Sequence, residues 1–237
     1  MNRRRRMLIP VAVVLAAVLL LIFPLPDPGF LPQRGDQDET VRLSFRNLSS
    51  DVTYTGDEEC AVCHETIYRS FAETGMGRSF TRPDPEKTVE DFSGPPHVTD
   101  EKTRFHYEAV WQGTSLFQVE YRLNDEGERT HELRRKVDYV IGSGNGTRSY
   151  ISEENGFLTE MPITWYNQKG IWDLSPGYHT TNLRFSRPIV AECMHCHNSF
   201  TGYVNYSENR YSDVPLGIGC ERCHGPGELH VNWRLSK

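Results

Sequence analysis

Three short runs carry the chemistry of this sequence: Cys60-Ala61-Val62-Cys63-His64, Cys193-Met194-His195-Cys196-His197 and Cys220-Glu221-Arg222-Cys223-His224. Each is C-x-x-C-H, the pattern that attaches a c-type haem. Two thiols three residues apart can reach two vinyl groups on one porphyrin edge, and the next imidazole can turn back to the iron. Composition alone would give roughly 0.006 such runs in a chain of this make-up, so three runs that use every cysteine are not coincidence. A disulfide framework has no need of a histidine after every second cysteine. Zinc would join two C-x-x-C knuckles, or one knuckle and two imidazoles, whereas here each of three knuckles brings its own histidine. A thioredoxin-like motif is normally single and follows a strand. The reading is three covalently attached haem c groups on Cys60, Cys63, Cys193, Cys196, Cys220 and Cys223. His64, His197 and His224 are then the proximal iron ligands.

The far side of each iron takes a second ligand or stays open. Met76 stands between Gly75 and Gly77 just after the first motif, and a thioether ligand there would raise the haem potential. His230 follows the tight turn Gly225-Pro226-Gly227, His179 ends a turn ahead of the second motif, and His97 follows Pro95-Pro96. Met76, His230, His179 and His97 are therefore the distal candidates. His106, His131, His195, Met161 and Met194 complete the pool, although His195 lies inside its own C-x-x-C bridge. No catalytic residue is assigned, because no triad or paired-carboxylate motif occurs. Electron transfer is the preferred function. The alternative, a haem enzyme for a small nitrogen or oxygen compound, needs one open iron and a distal acid or base. A haem-based sensor or assembly module is a third class.

These motifs must be positioned and delivered. Met7 to Phe23 is a continuous apolar run behind Arg3, Arg4, Arg5 and Arg6, the layout of an export signal. No A-x-A-like cleavage site follows, so an uncleaved anchor at residues 1–26 is expected ahead of a cleaved signal peptide. The arginines would stay cytoplasmic, placing the rest on the periplasmic side of the inner membrane. Beyond the leader, 22 basic residues face 32 acidic ones, a formal charge of −10. Such a surface suits solubility and steers towards basic redox proteins; nucleic acid is excluded as a partner.

Residues 27–55 read as a linker, with a short strand around Val41, Leu43 and Phe45. The rest, 56–237, reads as one haem-organised domain. Asp57 is the expected N-cap of a helix that presents Val62, Ile67 and Phe71 to a porphyrin and stops near Gly75. Residues 101–167 switch to aromatic and β-branched alternation and are read as one inserted antiparallel sheet. Its strands are Phe105–Trp111, Leu116–Leu123, Thr130–Val140, Thr147–Ile151 and Phe157–Tyr166, with Asn155-Gly156 the sharpest hairpin signal. The run Gly142-Ser143-Gly144-Asn145-Gly146 is no nucleotide loop, because Thr147 stands where G-x-G-x-x-G needs glycine. Gly217 and Gly219 are expected to let backbone approach a porphyrin. No regular element is expected between His230 and Lys237. The fold class is α+β: haem-bearing helices and loops, an inserted antiparallel sheet, and an N-terminal signal or transmembrane helix.

The phrase from Gly219 through Cys220-Glu221-Arg222-Cys223-His224-Gly225-Pro226-Gly227 to His230 resembles the multihaem cytochrome c family typified by the tetrahaem electron carrier of hydroxylamine oxidoreductase. Cys60–Met76 is similar to that family's first haem segment. Tyr139–Gly144, Arg148-Ser149-Tyr150 and Leu174–Tyr178 resemble a bacterial branch with a β-rich segment between haem motifs, often followed by tetratricopeptide repeats. The resemblance spans about residues 56–232. It implies that His230 is a distal ligand. The Met76 position is histidine in many relatives. This sequence lacks a fourth C-x-x-C-H and a repeat array, so the resemblance implies a reduced or truncated member.

Overall fold

The chain divides into two units, Met1–Ser49 and Ser50–Lys237, and the computed structural model describes residues 45–94 and 96–237. The expected anchor, most of the linker, and Val41 and Leu43 lie outside the described residues. Of the first unit, a 3-10 turn at Arg46–Leu48 is described. Among the described residues, no helix is long and apolar enough to cross a membrane.

The second unit is α+β, with antiparallel sheets and few helices. The helices are α1 (Asp57–Ala72), α2 (Ala191–His197), α3 (Glu221–His224) and α4 (Glu228–Leu235). Strands β2 (His97–Asp100), β3 (Phe105–Gln112), β4 (Ser115–Leu123) and β5 (Arg129–Lys136) form one sheet in sequence order. A seven-stranded sheet takes β1 (Phe80–Thr81), β6 (Tyr139–Ile141), β7 (Thr147–Glu154), β8 (Phe157–Glu160) and β11 (Arg187–Pro188) along one path. Its remaining strands are β9 (Ile163–Tyr166), paired with β7, and β10 (Ile171–Leu174), paired with β9.

Alternation explains the layers. Phe105, Tyr107 and Ala109 point inward from β3, as a period of two requires. They meet Val140 of β6, Tyr150 of β7 and Ile163 of β9 in one core. The neighbours of those residues, Tyr139 and Ile151, enter a second core with Phe80, Leu158 and Met194. Successive side chains of β6 and β7 thus face opposite cores, and the seven-stranded sheet is covered on both sides. Met194 and the adjoining Cys193 belong to the second motif, so this core anchors that attachment turn. Gln118, fully buried on β4, joins the sheets as a strand would. Its amide donates to the Ile163 carbonyl at 2.8 Å and accepts from the Ile163 N–H at 3.2 Å.

The strands reach from Phe80 to Pro188, wider than the expected window, and they build two sheets where one was expected. The run 130–140 splits at Val137-Asp138, where the chain leaves the exposed edge strand β5 for the buried β6. The run 157–166 splits at Met161-Pro162, because Pro162 has no N–H for a ladder; Met161 instead donates to Tyr150 at 2.8 Å. Asn155 and Gly156 adopt φ of 55° and 84°, the left-handed pair of a tight hairpin. The N-cap of α1 is Gly56 and not Asp57, whose carboxylate is engaged elsewhere. A helix, α4, carries His230 where no element was expected.

Candidate haem-binding site

In all three motifs the two cysteines sit three residues apart, so their side chains share a helical face. In each, the histidine ends or breaks the helix. His64 leaves helical geometry inside α1 at φ −119°, ψ 36°, while His197 and His224 are the last residues of α2 and α3. The second cysteine of each pair is exposed and the first is partly buried. Helix α1 buries none of its residues, and Val62 and Ile67 are 73% and 66% exposed. A helix face that carries two thiols beside apolar side chains is the surface a porphyrin covers, so the donor set fits haem.

The thiol environment does not suit redox exchange. Burial raises Cys60, helped by Glu221 and Asp57, and Cys220 is pushed up to about 11 by burial, then by Asp57 and the neighbouring Cys60. Exchange-active C-x-x-C thiols have lowered values. Among the described residues, no group of three or more His, Cys, Asp or Glu is placed to hold a metal ion.

The residues between the cysteines of the third motif tie the three turns together. Asp57, at the start of α1, accepts from the Cys220 N–H at 2.7 Å. In return Glu221 accepts from the N–H groups of Thr55 at 2.9 Å and Gly56 at 2.8 Å. Arg222 reaches the second motif and donates to the His195 carbonyl at 2.7 Å. Ser79 donates to the His197 carbonyl at 2.6 Å and to the Met76 carbonyl at 2.7 Å. Gly217 and Gly219 allow close approach of a different kind from the one expected. A side chain at Gly217 would strike the Gly77 carbonyl, and one at Gly219 would strike Asp57 and Ser199. The glycines serve motif-to-motif packing.

The imidazoles of His64 and His230 face each other with ring centroids 6.2 Å apart and planes inclined by 22°. Both imidazoles would be within reach of one haem iron if a haem is attached at the first motif. His197 is driven below its ordinary value by burial, which favours the neutral form that binds metal. Its Nδ1 is buried with no hydrogen-bond partner.

Residues 178–225 match the family described as cytochrome c554 and c-prime. The matched segment contains the second and third motifs and the tie between Arg222 and His195. No curated protein matches the chain. Among solved structures, the outer cell wall cytochrome OcwA aligns at 18% identity with a TM-score of 0.43. That alignment covers 78% of this chain and 34% of OcwA, so the chain spans about a third of that protein's length.

The other distal candidates have various neighbours. Met76 is 49% exposed, and its carbonyl takes the Ile218 N–H at 3.1 Å, which sets it between the second and third motifs. The glycine-rich loop lies alongside, with Ser143 and Asn145 against Gly75. His179 pairs with Asp173 at 3.5 Å. His97 stands on β2, its Nε2 3.2 Å from Nδ1 of His106, whose ring stacks on Tyr121. Met161 and Met194 are buried in the two cores. Sequence reasoning missed Glu221 and Arg222, because contacts 166 and 27 residues away leave no local signal.

His106 is held below its ordinary 6.5 by burial first and then by His97; Glu101 and Glu108 oppose the shift and Arg129 adds to it. The unfolded chain therefore takes up a proton at a pH where folded His106 refuses it. Stability from this residue is present above about pH 6.5 and lost as pH falls towards the lowered value. Urea midpoints at about pH 7.5 and about pH 5.5 should differ less in His106→Asn than in the native protein. Equal differences would show that His106 does not contribute.

Proposed function

We propose that this chain is an extracytoplasmic trihaem c-type cytochrome, tethered to the membrane by its N-terminal segment, that passes electrons between redox proteins. The observation that carries this reading is the set of three C-x-x-C-H turns bound to one another through Asp57, Glu221, Arg222 and Ser79. Haem supplies a one-electron iron couple whose potential follows axial ligation and burial. The chain's part is to hold three such groups in one small body, through three thiol pairs and the histidines His64, His197 and His224. His230 would serve as the distal ligand of the iron that His64 holds, its ring lying 6.2 Å from that of His64. Met76, His179 and His97 remain the candidates for the other two irons. The acidic surface favours basic redox partners.

A pyridine haemochrome count with an EPR spectrum of the oxidised protein tests this. Three haems, all low-spin, are expected for a carrier. A high-spin haem that binds nitrite or hydroxylamine would turn the reading to an enzyme. In His230→Ala one haem should pass from low to high spin, and added imidazole should restore it. An unchanged spectrum would remove His230 from the iron.

A further inference from the structure

We propose that Glu221 is a positioning residue whose carboxylate sets the helix bearing His230 against the start of the helix bearing His64. The inference rests on the reading that these two imidazoles serve one iron.

The geometry is specific. Glu221 lies between Cys220 and Arg222, in the turn of the third motif, and is 6% exposed. A side chain between motif cysteines has no need to be buried for attachment. One carboxylate oxygen accepts from the Gly227 N–H at 2.7 Å and from the Thr55 N–H at 2.9 Å. The other accepts from the Gly56 N–H at 2.8 Å. Gly227 is the N-cap of α4 and Gly56 the N-cap of α1. Neither helix has a side-chain cap of its own, so one anion serves the starts of both, where the helix dipoles favour negative charge. A second tie runs parallel: Glu228 of α4 accepts from the N–H of Thr53 at 2.7 Å and its hydroxyl at 2.9 Å.

The consequence is a rigid frame. His64 is seven residues beyond the start of α1, and His230 lies in the first turn of α4. Neither helix buries a residue of its own in the protein core. Their mutual placement therefore depends on the shared carboxylate, on the crossed bond from Cys220 to Asp57 and, further out, on the tie between Glu228 and Thr53. Loss of the carboxylate leaves three backbone donors without their partner and frees α4 to turn, carrying His230 away from His64.

The test compares Glu221→Ala and Glu221→Gln with His230→Ala in the full haem-loaded chain. In Glu221→Ala the haemochrome count should stay at three, while the EPR spectrum shows one low-spin haem become high-spin. Millimolar imidazole should restore it. Glu221→Gln keeps the volume and one acceptor oxygen but can serve only one of the two helix starts, so a mixed-spin population is expected at the same haem. It also serves if the alanine variant fails to load. A role confined to general stability would leave every folded molecule with three low-spin haems. That result in both Glu221 variants, with a spin change in His230→Ala, overturns the positioning role alone. An unchanged spectrum in His230→Ala overturns the underlying ligand assignment and the positioning role with it.

Discussion

Cys223→Ala should reduce the covalently bound haem from three per chain to two, or prevent a stable holoprotein from accumulating. Cys223 is the exposed partner of Cys220 on the single turn of α3, and no other cysteine lies within that turn. With one thiol left, the porphyrin edge can be tied at one point at most, so stable attachment at this turn should fail. Mass spectrometry of the denatured protein reads the outcome directly, because only covalent haem survives unfolding. Three fully attached haems would contradict the assignment. The β-rich body supplies an internal control. Neither hydrophobic core contains a residue of α3 or α4, so the sheet signal in circular dichroism should persist while haem is lost. Loss of both together would mean that attachment at the third turn is required for the sheets to form.

The candidate attachment residues rest on a local signal, two thiols and an imidazole within five positions, which does not depend on where the chain places them. The strands were legible for a similar reason. Phe105, Tyr107 and Ala109 alternate into one core, and Asn155-Gly156 can hardly be other than a hairpin. What stayed hidden depends on distant partners. The division into two sheets turns on Val137 and Asp138, where a run read as one strand moves from an edge strand to a covered one. Nothing local marks Gln118 and Glu120 as buried, yet both have no exposed surface. Their satisfaction comes from Ile163 and Arg184, far along the chain. Glu221 was invisible in the same way. The glycines at 217 and 219 announced close approach but not what approaches. Spacing identifies a cofactor turn; it does not say which turns touch.

Arg184→Ala should destabilise the fold by about 3 kcal/mol, the lower end of the cost of breaking a buried ion pair. Glu120 has no exposed surface and points inward from β4 beside Leu116 and Gln118. Arg184 meets it in a forked arrangement: Nε donates to Oε1 at 3.0 Å and to Oε2 at 2.9 Å, and Nη2 also donates to Oε1. Without the guanidinium, the carboxylate keeps the Tyr107 hydroxyl and His131, whose Nε2 is 3.5 Å away on a half-exposed side chain. The lower end of the range applies because Arg184 is 38% exposed, and water can partly fill its place. The bond also holds the segment that leads into β11 and the second haem turn, so the damage should reach the site through the approach of α2. A double-mutant cycle separates this mechanism from simple loss of packing on the Phe105 ring, which Arg184 covers at 4.6 Å. In a Glu120→Gln background no buried charge is left uncompensated, so Arg184→Ala should cost much less there than in the native protein. A loss below about 1 kcal/mol at neutral pH would mean that the pair behaves like a surface ion pair and that another contact pins the segment.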